Sequence, residues 1–461
     1  MVSPPPPPSP PPASRARGLQ PRPLRPVAIT TFKSLDSIQF ELPEALPPDT
    51  AAILTSDSIE PPSAPCLLIL GENATGKSSI LEAIALACLP DDMRDALRLE
   101  PVGLRARRLT LNPEYMGAAA ILPRADATVE VSFHGAQGRP PQTLGIQIDR
   151  DGAPDGPDGG FHPFGDADGP RPLVFAYGPN RLYGRATRPD HTRIVDTLFD
   201  GTLHVSNPEA WLLTLKDRTD CALNQIAAAL RHIIQIDGAF SHIEIAPDPD
   251  DGMNRVWINL RRALPDGGVR DLRQRLDHAS SGYRAVLALV CDVFARLMAD
   301  PDVTSHDARL SRAIILIDEV EVHLHPRWKL QIIDGLRKAL PRATGVLTSH
   351  DPLCVRGMRP GEVMMLNRHI SPHGAISESV ERVRDFGAFE LMTMEQLLTS
   401  DMFRLVSVDD QKAERRYAEL AAAIRAGTAR AADTDARTAA RTAAPDRAEA
   451  AVRDFLRDLL A

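Results

Sequence analysis

Residues 66–78 read Cys66-Leu67-Leu68-Ile69-Leu70-Gly71-Glu72-Asn73-Ala74-Thr75-Gly76-Lys77-Ser78. The opening apolar run, ended by a glycine, suits a short strand buried on both faces. The loop that follows matches G-x-x-x-x-G-K-[ST], and Ile80, Ile84 and Ala87 come next at helical spacing. Strand, glycine-rich loop and helix, in that order, form the context in which this motif cradles phosphates. The glycines let backbone N–H groups converge on an anion, and the helix N-terminus adds its positive end. Lys77 is placed to reach the β- and γ-phosphates of a nucleotide, and Ser78 to offer its hydroxyl to Mg2+. Gly71, Glu72, Asn73, Ala74, Thr75, Gly76, Lys77, Ser78 and Ser79 are therefore the candidate nucleotide-binding set. A chance glycine-rich turn is the competing reading, and the flanking elements argue against it.

Two downstream stretches supply what such a loop needs. Ile314-Ile315-Leu316-Ile317 is a second buried strand, and it ends in Asp318-Glu319. That strand is expected to deliver Asp318 to the sheet edge beside the loop, where it would share a Mg2+ shell with Ser78. Glu319 is then the candidate general base that polarises the attacking water. Gly345-Val346-Leu347-Thr348 leads to Ser349-His350-Asp351, and a histidine just beyond a buried strand here resembles the switch histidine of ABC-type ATPases, which implies that His350 contacts the γ-phosphate. The catalytic set expected from the sequence is Lys77, Glu319 and His350; the metal set is Ser78 and Asp318; the cofactors are ATP and Mg2+.

Between these motifs, Ala279-Ser280-Ser281-Gly282-Tyr283 resembles the signature of ABC-type ATPases, and a helical pattern follows it. The resemblance implies that Ser280 and Gly282 cap the γ-phosphate of ATP held by a second subunit. Ile29-Thr30-Thr31-Phe32-Lys33-Ser34-Leu35, Gly71-Glu72-Asn73 with Ser79–Ile84, and Asp318-Glu319-Val320-Glu321-Val322-His323-Leu324-His325-Pro326 resemble the SMC-like and overcoming-lysogenization-defect-like ATPases. Leu397-Leu398-Thr399-Ser400-Asp401-Met402-Phe403 resembles a tail of stand-alone ATPases of that group, often encoded in anti-phage defence systems. The resemblance covers most of residues 27–405. It implies an α/β P-loop head of the ABC type, with a mixed sheet core, an antiparallel β subdomain and a helical lobe. It also implies an ATP-dependent homodimer or higher oligomer that hydrolyses ATP and drives a separate effector such as a nuclease, in anti-phage defence or DNA repair. An energy subunit of a transporter and a non-hydrolysing nucleotide-gated scaffold are the alternatives. The chain departs from the transporter pattern at Ala279, Tyr283 and His325. It also shows no glutamine in Ala176-Tyr177-Gly178-Pro179-Asn180-Arg181, the nearest candidate for the coupling loop.

The rest of the chain frames these motifs. Residues 1–26 hold 11 prolines and are expected to be a disordered tail. Residues 27–185 are expected to form the first part of the head, 186–275 a helical lobe with a hairpin, 276–400 the second part of the head, and 401–461 a helical extension. Strands are expected at Val27–Phe32, Ile38–Leu42, Thr128–Phe133, Thr143–Ile148 and Leu173–Tyr177. The hairpin is expected over 242–260, and 150–170 is expected to be loop. A single helix is expected from Pro326, with Trp328, Ile332, Leu336 and Leu340 as its stripe. The span of 241 positions from Lys77 to Asp318 exceeds that of a bare transporter subunit, and it lacks the sustained heptads of long coiled-coil arms.

A net charge of −8 argues against a nucleic-acid-coating protein, though DNA stays open as a ligand through a local groove. Arg105, Arg107, Arg108, Arg181, Arg185, Arg188 and Arg193 are expected on a solvated face, as is the Asp433-Thr434-Asp435 stretch. His323 and His325 are expected to shape a dimer-interface loop rather than to hold a metal. The five scattered cysteines read as buried reduced thiols of a cytoplasmic protein. No apolar stretch reaches the length of a membrane span, and the N-terminus lacks the apolar core of a signal peptide.

Overall fold

The computed structural model describes residues 24–383 with gaps, chiefly 44–64, 73–74, 101–107, 134–141, 150–160, 184–194 and 301–307, and then Met392, Thr393, Gln396 and Leu397. Most of the expected tail, the stretch from Leu398 through Phe403, Asp433–Asp435 and the expected helical extension lie outside the described residues. The chain divides into a unit ending at Met392 and a second beginning at Thr393. The second unit is described only where Thr393 and Gln396 cap each other reciprocally at the start of a helical turn.

The first unit is built on a six-stranded mixed sheet. Its strands are β3 (Cys66–Leu70), β9 (Val174–Tyr177), β13 (Ile314–Ile317), β14 (Thr344–Ser349), β15 (Val363–Ile370) and β16 (Ile376–Val383), ordered β16-β15-β3-β14-β13-β9. All neighbours are parallel except β16, which runs antiparallel to β15 at one edge. Every residue of β3, β9 and β13 is buried, as strands covered on both faces require.

A second, antiparallel sheet joins β1 (Leu24–Phe32), β2 (Leu35–Phe40), β6 (Ala127–Phe133), β7 (Gln142–Ile148) and β8 (Phe161–Gly165) in the order β2-β1-β6-β7-β8. Ala127, Val129, Val131 and Phe133 of β6 alternate inward. The helix α1 (Lys77–Cys88) packs on both sheets, touching β1, β6 and β7 on one side and β9, β13 and β14 on the other. Its small and aliphatic residues follow from that position, since all but Ser78 are buried. Its C-terminal carbonyls are met by buried arginines. Arg94, from α2 (Asp91–Ala96), donates to Leu86 O at 3.2 Å and Leu89 O at 2.8 Å, and Arg171 donates to Ala87 O at 3.0 Å. Cations at that end also complement the helix dipole.

Two short helices, α3 (Asp196–Phe199) and α4 (Pro208–Leu213), lead to α5 (Asp220–Ile233). A three-stranded sheet of β10 (Ala239–Pro247), β11 (Asn254–Ala263) and β12 (Val269–Arg275) follows, and α5 packs on β10. Next come α6 (Ser281–Ala299), α7 (Pro326–Lys329) and α8 (Ile332–Ala339). The helix α6 is buried all round from Ala285 to Leu297.

Several expectations need correction. β1 begins at Leu24, inside the expected tail. β8 lies within the expected 150–170 loop. β12 makes the expected hairpin a three-stranded sheet. A two-stranded ribbon of β4 (Arg108–Asn112) and β5 (Gly117–Ile121) was not foreseen, nor was β16. The helix expected from Pro326 breaks at Leu330–Gln331 into α7 and α8. No described helix is long and apolar enough to cross a membrane.

Candidate nucleotide-binding site

β3 ends at Leu70, and the chain turns through Gly71. A Cβ at Gly71 would stand 2.6 Å from the Leu366 carbonyl oxygen and 2.9 Å from Thr75 Oγ1, so a side chain has no room. Gly76 sits at φ 103°, in the left-handed region that glycine adopts without penalty, immediately before α1. Thr75 Oγ1 donates to Glu72 O at 2.9 Å within the loop. Asn73 and Ala74 lie outside the described residues. The N–H groups of Lys77, Ser78 and Ser79 precede the first intrahelical bond, donated by Ile80 to Gly76 O at 3.1 Å. Such leading N–H groups are the ones a helix turns toward an anion.

Lys77 Nζ donates to Gly71 O at 2.7 Å and Glu72 O at 2.8 Å, so the ammonium lies across its own loop. Burial lowers its pKa, and the carboxylates of Asp318, Glu319, Glu321 and Glu72 work against that shift.

The ends of β3, β14 and β13 lie side by side. β14 stands between the other two strands, so β13 and β3 are not immediate neighbours in the sheet. Asp318 nonetheless reaches the loop, because Ser78 Oγ donates to its Oδ2 at 2.7 Å. Its other oxygen, Oδ1, accepts from Thr348 Oγ1 at 2.5 Å. The same threonine oxygen accepts the Glu319 N–H at 2.8 Å. Thr348, a fully buried polar residue near the end of β14, thus fixes both acidic residues.

Glu319 adopts φ 46°, unusual for a residue with a side chain. Arg181 holds this turn from behind. Its guanidinium donates to the carbonyls of Asp318 (2.7 Å), Glu319 (2.8 Å), Gly178 (3.2 Å) and Val320 (3.3 Å). Burial pushes the Arg181 pKa down to about 10, against the opposing pull of Glu321, Asp318 and Glu319. The expected solvated basic face is therefore wrong at Arg181, which is 3% exposed. Arg105, Arg107, Arg185, Arg188 and Arg193 lie outside the described residues, as does the Arg108 side chain.

The stretch expected as the coupling loop follows β9. Tyr177 O accepts the Asp318 N–H at 2.8 Å. Its hydroxyl donates to Asp292 Oδ2 of α6 at 2.9 Å, and Arg296 Nε donates to the same oxygen at 2.7 Å. A buried polar chain therefore runs from α6 to Asp318 through Tyr177. Sequence reasoning missed Thr348, Tyr177, Asp292 and Arg181 as parts of one assembly. The one available signal was the polar Thr348 directly after the apolar Val346-Leu347 pair of β14.

His350 follows β14, and its side chain is half exposed. Ser280 and Gly282 stand at the N-terminus of α6. Ser280 is exposed, and Gly282 lies against the post-β13 loop, with its ideal Cβ 3.1 Å from His323 O. No described hydrogen bond joins Ser280 or Gly282 to the P-loop of the same chain. Tyr283 is buried edge-on against Trp328 of α7, ring centroids 4.5 Å apart. Packing therefore accounts for its departure from the transporter signature. His325 Nδ1 accepts the Arg327 N–H at 3.3 Å and caps α7, while His323 sits at φ 66°. Among the described residues no group of three metal-ligating side chains occurs.

Residues 249–356 match the family described as "AAA domain, putative AbiEii toxin, Type IV TA system". The chain is 26% identical to the Septu protein PtuA of Bacillus mycoides over 349 residues, 74% of this chain and 41% of that protein. It is 36% identical to the "Retron Ec83 probable ATPase" of Escherichia coli over 74 residues, 16% of this chain and 13% of that protein. The chain thus spans less than half the length of these curated relatives. An SMC head domain from Thermotoga maritima superposes with a TM-score of 0.41 at 12% identity, covering 78% of this chain and 99% of that one. With its phosphate loop, its acidic strand end and the helix after Ser280 in this order, the chain is similar to the AAA family that residues 249–356 match and to the Septu and retron proteins.

Proposed function

We propose that this head binds ATP with Mg2+, pairs with a second copy around the nucleotide, and hydrolyses it to drive a separate effector in anti-phage defence. The observation that carries the reading is the meeting of Ser78 Oγ and Asp318 Oδ2 at 2.7 Å, directly beside Lys77 and the N-terminus of α1. A hydroxyl and a carboxylate oxygen side by side suit Mg2+, which prefers oxygen ligands. When bound, Mg2+ supplies neutralisation of the phosphate charge.

The chain's own residues carry the rest. The leading N–H groups of α1 and Lys77 hold the β- and γ-phosphates. Glu319, its backbone fixed by Thr348 and Arg181, takes a proton from water as the water oxygen bonds to the γ-phosphorus. The bond from that phosphorus to the β,γ-bridging oxygen breaks, and ADP and phosphate result. His350 lies on the γ-phosphate side. Ser280 and Gly282 complete the site of the opposite copy.

Likeness to the Septu and retron proteins supports the defence role and a partner effector, with a nuclease as the class the resemblance implies. A cytoplasmic location accords with that role.

The test is the solution mass of the Glu319→Gln variant with and without Mg-ATP. Doubling on Mg-ATP, lost in a further Ser280→Arg variant that still binds nucleotide, is the expected result. A nucleotide-loaded protein of unchanged mass would defeat the paired-head reading.

A further inference from the structure

Glu321 is absent from the site expected by sequence, yet the structure ties it to His350 twice. One carboxylate oxygen, Oε1, accepts the His350 backbone N–H at 2.9 Å and lies 3.1 Å from the same residue's Nδ1. Glu321 is 1% exposed, while the His350 side chain is 50% exposed. A buried carboxylate is costly unless it is paired, and a neutral residue would suffice merely to tether a loop. Here the charge has a cation close by, because Glu321 is the carboxylate that most favours the charged form of Arg181.

The geometry restricts the imidazole in two ways. A carboxylate oxygen is an acceptor only, so the ring nitrogen facing it carries hydrogen. Because the backbone N–H and Nδ1 of one residue share a single oxygen, the ring cannot flip without breaking a contact. Nε2 is then the nitrogen left for whatever approaches the exposed side.

We propose that Glu321 is a positioning residue: its buried carboxylate holds His350 with hydrogen on Nδ1 and commits Nε2 to the nucleotide side. The assignment rests on the nucleotide-site reading above, but its first test does not need nucleotide. The arrangement is the one by which buried carboxylates orient working histidines elsewhere, through the tautomer and the ring plane.

The full chain, labelled with 15N-histidine, is examined without nucleotide at about pH 8, where an ordinary imidazole is neutral. His350 signals are identified by their loss in His350→Asn. Hydrogen on Nδ1 in the wild type, giving way to hydrogen on Nε2 in Glu321→Gln, is the expected result. A wild-type ring with hydrogen on Nε2 alone overturns the proposal and requires no variant to fold.

A second arm measures affinity for a fluorescent ATP analogue and phosphate release. Glu321→Gln should keep its affinity and lose about 10- to 100-fold in turnover. Turnover equal to wild type, with the tautomer changed, also overturns the positioning role. If the wild type binds no ATP, the nucleotide reading fails, and the tautomer alone decides whether Glu321 holds His350.

Discussion

Arg181 shows how one buried side chain can fix the backbone of a whole turn. Its planar fork serves four carbonyls around the turn that carries Asp318 and Glu319. Lysine keeps the charge but cannot span that set. Arg181→Lys should therefore keep Mg-ATP affinity near wild type and lower phosphate release about tenfold or more, since a small misplacement of a catalytic group is costly. Wild-type release from Arg181→Lys would show that charge alone suffices. Gly71 belongs to the same scale. Gly71→Ala drives a methyl against the Leu366 carbonyl and Thr75, and should weaken Mg-ATP binding about tenfold or more, roughly 1.4 kcal/mol. Titration with a fluorescent nucleotide analogue reads this directly.

Among elements, α8 is fastened to the start of β15 by a buried pair, Arg337 Nη1 and Nη2 donating to Glu362 Oε1 and Oε2 at 2.9 and 2.7 Å. Removing one partner strands a charge. Arg337→Met should cost about 3–5 kcal/mol in urea unfolding, and adding Glu362→Leu should recover much of that loss. Independent, additive losses would mean the two charges do not act as a pair. The strands that carry chemistry were legible because β3 and β13 are apolar throughout and end at a glycine or an acid, which only a doubly covered strand tolerates. β12 was not legible, because Val269-Arg270-Asp271-Leu272-Arg273-Gln274-Arg275 stays largely exposed and is held by its ladder to β11. β8 carries Pro163 and Gly165, which demote a strand on any local reading. The roles of Arg181, Tyr177 and Glu321 were hidden for another reason. Their partners lie on strands and helices remote in sequence, so only the fold reveals why a buried charge is tolerated.

At the scale of the molecule, burial also governs the thiols. It pushes Cys66 and Cys88 up to about 12 and raises Cys291 and Cys354 as well. The folded chain therefore keeps protons that the unfolded chain, with thiols near 8.5, would release. Their contribution to stability is complete below about pH 8.5 and declines as pH rises from there toward 12. At neutral pH a thiol reagent should leave these four unmodified in the native protein and label them after unfolding; rapid native labelling would show that the core opens. The central claim for the whole molecule is that β3, β13 and β14 converge to make a working ATP-hydrolysing site. The most direct measurement is Mg2+-dependent phosphate release by the wild type and Glu319→Gln, with nucleotide binding followed in parallel. The account predicts release by the wild type and a loss of about 100-fold or more in Glu319→Gln, with binding retained. Undiminished release from Glu319→Gln would contradict it.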